Sequence, residues 1–156
     1  MASSAFAVVK RGAFPTHRFV LSGHVEDGTD LDAKTVALFM VPQDCRLVKA
    51  EFRFATGPGE LFTMQLKAAR GGVARASGDT ITEVSTDLDT LVVDTPYALD
   101  LDTAGNHLQI EGGSLIAVQG SNVVTPQVAL GLTVSCTFET ARHRVNDAGA
   151  TEDIPD

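Results

Sequence analysis

The chain contains no tryptophan and only one tyrosine, Tyr97. Sugar-binding platforms rely on flat aromatic rings that stack on pyranose C–H groups. Most of the eight phenylalanines fall on expected core faces or near the amino end, so a lectin built on aromatic stacking is disfavoured. A sugar site made of Asp and Asn stays open. Cysteine is also scarce: Cys45 and Cys136 are far apart and match no metal spacing. They read as two reduced, half-buried thiols, and a bridge would require facing strands. No apolar run approaches the roughly 18–20 residues of a membrane span. The first residues, Met1 to Arg11, place their apolar part before their basic part, which is not the order of a secretion signal.

Basic residues are missing from a long stretch. Residues 1–75 hold ten Lys/Arg against seven Asp/Glu, while residues 76–156 hold two against thirteen. No Lys or Arg occurs between Ala76 and Ala141, and the net charge is −8. A nucleic-acid binder needs a basic stripe to neutralise phosphates, so that class is excluded. Only the amino end, with Lys10, Arg11 and Arg18, suits an acidic partner. The acidic half otherwise serves as a solvated surface.

Enzyme signatures are absent as well. There is no Gly-x-Ser-x-Gly elbow, phosphate-binding loop or dinucleotide fingerprint. His17, His24, His107 and His143 have no second ligand at zinc spacing. Three Asp-Leu-Asp triplets occur, at Asp30–Asp32, Asp87–Asp89 and Asp100–Asp102. On a strand the two carboxylates of each would share a face and could contribute to a calcium site. The plainer reading is charged loop ends around one leucine. No catalytic residue, cofactor or metal site is assigned.

What the chain does have is period-two alternation. His17 to Val25 and Lys34 to Val41 read as strands. In Cys45 to Ala55, Val48, Ala50, Phe52 and Phe54 share one face and Lys49, Glu51 and Arg53 the other. In Leu61 to Ala69, Phe62, Met64, Leu66 and Ala68 face together. From Gln127 to Glu139, Val128, Leu130, Leu132, Val134, Cys136 and Phe138 form one apolar face. Thr80–Val84, Thr90–Asp94 and Tyr97–Leu101 are shorter candidates, and Asp87 to Leu91 reads alternatively as one helical turn. His107–Ile110 and Ser114–Gln119 flank Gly112-Gly113 as a hairpin or a bulged strand. Strands with one apolar face require a second sheet to cover them. The expectation is an all-β, jelly-roll-like two-sheet sandwich of about eight strands over residues 17–140. An extended arm, residues 1–16, precedes it, and a flexible acidic tail, residues 141–156, follows.

The segment Leu38-Phe-Met-Val-Pro-Gln-Asp-Cys-Arg-Leu-Val-Lys-Ala, continuing to Glu51-Phe-Arg-Phe-Ala, resembles a recurring element of tailed-bacteriophage virion proteins. There, a strand ends at Val-Pro, a polar turn follows, and a long strand leads to a glycine-rich turn. Leu61 to Ala69, Gly113 to Val118 and the closing strand fit the same order. The resemblance covers roughly residues 17–139 and points to head decoration, or cement, proteins. It implies a non-enzymatic jelly roll that sits as a homotrimer on the outer capsid surface. Such a protein is made in the host cytoplasm, binds the major capsid protein and stabilises the shell without touching nucleic acid or membrane. It further implies that the arm makes capsid contacts, with Phe6, Val8, Val9 and Phe14 as apolar anchors and Lys10 and Arg11 as charged ones. The alternative is a tail- or fibre-associated module that binds a receptor or carbohydrate.

Overall fold

Alternating apolar and polar side chains give the chain its strands: β1 (Arg18–His24), β2 (Thr35–Met40), β3 (Cys45–Arg53), β4 (Phe62–Ala69), β5 (Asp79–Thr80), β6 (Tyr97–Leu99), β7 (Gln109–Ile110), β8 (Leu115–Asn122), β9 (Thr133–Thr140), β10 (His143–Val145) and β11 (Thr151–Asp153). This is a computed structural model, and it describes residues 17–29, 34–55, 62–83, 92, 94–122, 131–140, 143–145 and 151–153. One sheet has the order β1-β9-β3-β6, with β7 also paired to β3; the other has the order β2-β8-β4-β5. Every pairing is antiparallel. The first four strands alternate between the sheets, and the first strand is closed by β9 along its whole length, from Arg18↔Glu139 to His24↔Thr133. That interleaving is a jelly-roll sandwich. β10 and β11 form a separate two-stranded ladder within the expected tail.

The core lies between the two inner faces. Leu132, Val134, Cys136 and Phe138 are fully buried, as their alternation requires. Phe138 stacks on Phe19 of β1 at 5.4 Å and meets Phe39 of β2 edge-on at 6.2 Å. It therefore ties both sheets together. Gly23 permits the sheets to approach here: a Cβ at that position would lie 2.7 Å from the Cβ of Leu38.

Two expectations need correction. Val48 does not share the buried face of β3. A bulge between Leu47 and Lys49 inserts one residue against β9, so Cys45 and Leu47 join Ala50, Phe52 and Phe54 in the core, while Val48 is only half-buried. Gly112-Gly113 is not a hairpin turn. β7 pairs with β3 in one sheet and β8 belongs to the other, so these glycines turn a corner between sheets. The candidate segments around Asp87–Leu91, Asp30–Asp32 and Gln127–Leu130 lie outside the described residues.

The cysteines are both fully buried and free. Cys136 stands opposite Ala50, whereas Cys45 stands opposite Thr140. Four residues of strand separate them along the ladder, about 13 Å. A disulfide needs Cα atoms within roughly 7 Å, so this geometry admits none.

The outer faces of the two sheets differ. After β4 the chain turns at Gly72 and forms a 3-10 turn, Arg75–Ser77, that packs over β4, β8 and β2. Lys67 donates from Nζ to the Ala76 carbonyl at 2.8 Å and fastens this strap. Beneath it Ala117, on the outward side of β8, is fully buried. The sheet of β1, β9 and β3 carries no such cover among the described residues.

Candidate interaction face

Register places the outward side chains of β1, β9 and β3 in rows. Arg18, Glu139 and Arg46 form one row; Val20, Thr137 and Lys49 the next; then Ser22, Ser135 and Glu51; then His24, Thr133 and Arg53. The middle strand offers only Thr, Ser and Glu on this side. Hydroxyls bond across it: Ser22 Oγ to Ser135 Oγ at 2.7 Å, and His24 Nδ1 to Thr133 Oγ1 at 3.3 Å.

The charge of this face opposes that of the molecule. Four Lys/Arg side chains meet two carboxylates here, in a chain of net charge −8. Arg18 donates to Glu139 Oε1 at 3.0 Å, and Lys49 pairs with Glu51 at 2.6 Å. Arg46 and Arg53 are exposed and make no ion pair with any described residue. Exposed pairs of this kind contribute at most about 1 kcal/mol each to stability, so folding alone does not account for so many cations on one side. Val20 stands among them, 60% exposed. A phosphate backbone is a poor ligand for this face, because carboxylates alternate with the cations and the whole protein repels polyanions.

The β5/β6 side has the opposite character. β5 and β6 are the edges of their sheets, and the segments that follow them are joined by the bridge Thr82↔Leu101. Asp79, Glu83 and Asp100 are exposed there; Asp94, whose amide donates to the Phe54 carbonyl, and Val92, 66% exposed, lie ahead of β6 at its other end. The Glu83 amide donates to the Asp100 carbonyl at 2.8 Å, which fixes the two acids next to each other.

Elsewhere the polar groups serve the fold. Asp102 accepts from the Ala104 amide at 2.9 Å and from His107 Nδ1 at 3.1 Å. Those bonds hold its carboxyl below the usual aspartate range, and they commit it to its own loop rather than to a cation. Burial pushes both thiols up to about 12, with Asp44 adding to the effect at Cys45, so neither is a nucleophile. Tyr97 is half-buried, stacks on Phe52 at 6.1 Å and accepts the Val92 amide at 2.9 Å. The one tyrosine is thus part of the packing and offers no free ring to a sugar. No cluster of three His, Cys, Asp or Glu side chains suited to a metal occurs among the described residues. A groove of about 350 Å³ between the strap and β2 is lined by Lys34, Thr35, Val36, Arg75 and Ala76, without a carboxylate. The arm residues Phe6, Val8, Val9, Lys10, Arg11 and Phe14 lie outside the described residues.

No family model and no curated protein matches this chain. Its fold is shared. It is similar to a chain of the cyanophage Pam1 capsid asymmetric unit, with a TM-score of 0.51 and 12% identity, over 82% of this chain and 88% of that one. It is also similar to a chain of infectious bursal disease virus strain Gx, with a TM-score of 0.48 and 8% identity, over 89% of this chain and 35% of that one. At these identities the likeness is one of fold.

The sheet face is what sequence reasoning missed. Its cations come from β1 and β3, which are separated in sequence and are brought together only by β9 between them. The alternation of Lys49, Glu51 and Arg53 was a signal for an outward face, but nothing in the sequence named its neighbours.

Proposed function

We propose that this chain is a non-enzymatic structural protein of a bacteriophage virion, which binds the outer surface of the major capsid protein lattice as a trimer and stabilises the shell. The observation that carries this reading is the fold likeness to a phage capsid chain over 82% of this chain and 88% of that one. The polar chemistry of the described residues supports it, since Asp102 is committed to its own loop and the thiols and the tyrosine are part of the packing. A sheet face that the described residues leave open suits a protein that lies against other protein surfaces. The arm, residues 1–16, is proposed to add apolar and basic capsid contacts through Phe6, Val8, Val9, Phe14, Lys10 and Arg11.

The test is direct. Purified protein is mixed with capsids that lack accessory proteins and is sedimented with them over a range of salt concentrations. Saturable co-sedimentation, with capsids that then resist heat or osmotic shock, is the expected result. Failure to bind at every salt concentration would refute the reading.

A further inference from the structure

We propose that the groove between the strap and β2 is where the protein takes hold of an extended acidic segment on the capsid surface. The proposal rests on the capsid-binding reading above and names the part of this chain that makes the contact. Charge complementarity carries it. The lining of the groove includes two cations, Lys34 and Arg75, and no carboxylate. That composition continues across the sheet: β2, β4, β8 and the 3-10 turn contain no Asp or Glu, in a chain that has 20. Asp79, on β5, lies at the opposite edge of the sheet, three strands and about 14 Å from β2. Lys34 is engaged within the chain, so the decisive cation is Arg75, which is exposed and makes no ion pair with a described residue. A guanidinium presents a fork of donors that matches a carboxylate.

Both walls of the groove are fixed before anything enters it. On one side the Val73 amide donates to the Arg70 carbonyl at 3.0 Å, the Ser77 amide to the Ala74 carbonyl at 2.8 Å, and Lys67 to the Ala76 carbonyl at 2.8 Å. Gly78 lets this strap sit close: a Cβ there would lie 2.7 Å from the Ala68 carbonyl oxygen. A preformed wall spares a ligand the cost of ordering it. Val73, 41% exposed on the strap, and Val36 on β2 add apolar surface beside the cations. The other wall, β2, is the end strand of its sheet and has no strand partner on the side away from β8 among the described residues. An extended segment suits such a wall, because its backbone can follow the strand while alternate side chains turn towards Arg75. A nucleic-acid backbone fits poorly, since it demands a row of cations and the net charge of −8 repels it.

Solution NMR on the full-length protein tests the site, with a synthetic peptide of alternating glutamate and threonine as the ligand. Amide shifts that cluster at residues 34–36 and 75–76 and saturate by about 1 mM peptide at low salt are expected, and a glutamine-for-glutamate peptide should cause none. Arg75→Glu is expected to abolish these shifts and to weaken co-sedimentation with capsids about tenfold. Ala76→Trp, which fills the groove from an exposed position without changing charge, is expected to do the same. Circular dichroism checks that both variants stay folded. Peptide shifts that are absent or lie elsewhere overturn the site, even if the native protein binds capsids. So does capsid binding that both variants retain, or that Arg75→Glu weakens while Ala76→Trp leaves it intact, since charge would then act without the groove being filled. A single-stranded oligonucleotide that shifts the same amides more tightly than the peptide overturns the acidic segment as the ligand. A variant that changes the protein's mass in ultracentrifugation while still binding capsids assigns the groove to a contact between copies and also overturns the proposal. Peptide shifts at the groove in a protein that never binds capsids uphold the site and refute decoration.

Discussion

Phe138 shows how one side chain connects the sheets. Its ring lies between Phe19 and Phe39, which belong to opposite sheets. Replacing it with alanine removes both contacts and leaves a cavity, so Phe138→Ala is expected to lower stability by about 3–5 kcal/mol in urea denaturation. A loss below about 1 kcal/mol would mean that the sheets do not meet through this ring. The cysteines give a second expectation. With burial holding both thiols near 12, a thiol reagent at pH 8 should label neither in the native protein and both after denaturation. Asp102 gives a third. The Ala104 amide and His107 hold its carboxyl below the usual aspartate range, so its stabilising effect is complete above that range and disappears as pH falls through the lower folded value. Asp102→Asn should therefore melt earlier than the native protein at pH 7, with the difference closing towards pH 3. A constant difference across that range would assign the loss to shape rather than charge.

At the scale of elements, strands were easy to read and their partners were not. β9 is visible in the sequence because Leu132, Val134, Cys136 and Phe138 alternate without interruption, and all four are fully buried. β3 was legible except at Val48, because a bulge leaves no trace in alternation: it depends on the register with β9, a strand about 90 residues away in the chain. The Gly112-Gly113 pair shows the same limit. Its composition suits a turn, but whether that turn joins two strands of one sheet or passes between sheets is decided by packing. The arm is the remaining element with a clear expectation. Deleting residues 2–16 should weaken capsid binding while leaving the melting transition of the sandwich in place. Loss of the folded state would show instead that the arm supplies a core strand.

The whole molecule is governed by its charge. With net charge −8 and an isoelectric point of about 4.8, copies of it repel one another at neutral pH. Turbidity measured from pH 7 down to pH 4 should rise steeply near that point, where the repulsion vanishes; a clear solution throughout would show that other surface features control solubility. Net charge alone hides the arrangement that matters. The excess of acid in the second half of the sequence becomes an acidic side at β5 and β6. The cations of β1 and β3 become a basic face on the same sandwich.

The sequence by itself determined the fold class, the placement of most strands and the lack of recognisable catalytic motifs. Those follow from local causes: a side-chain period of two, turn residues, and motifs of fixed spacing. Only the tertiary structure decided that β9 lies between β1 and β3, that a bulge turns Val48 out of the core, that a strap covers one outer sheet face, and that Cys45 and Cys136 stand too far apart to bridge. Each of these depends on which distant strands pair and in what register. Register is fixed by burying all the apolar faces at once, a condition on the whole chain that no local stretch contains.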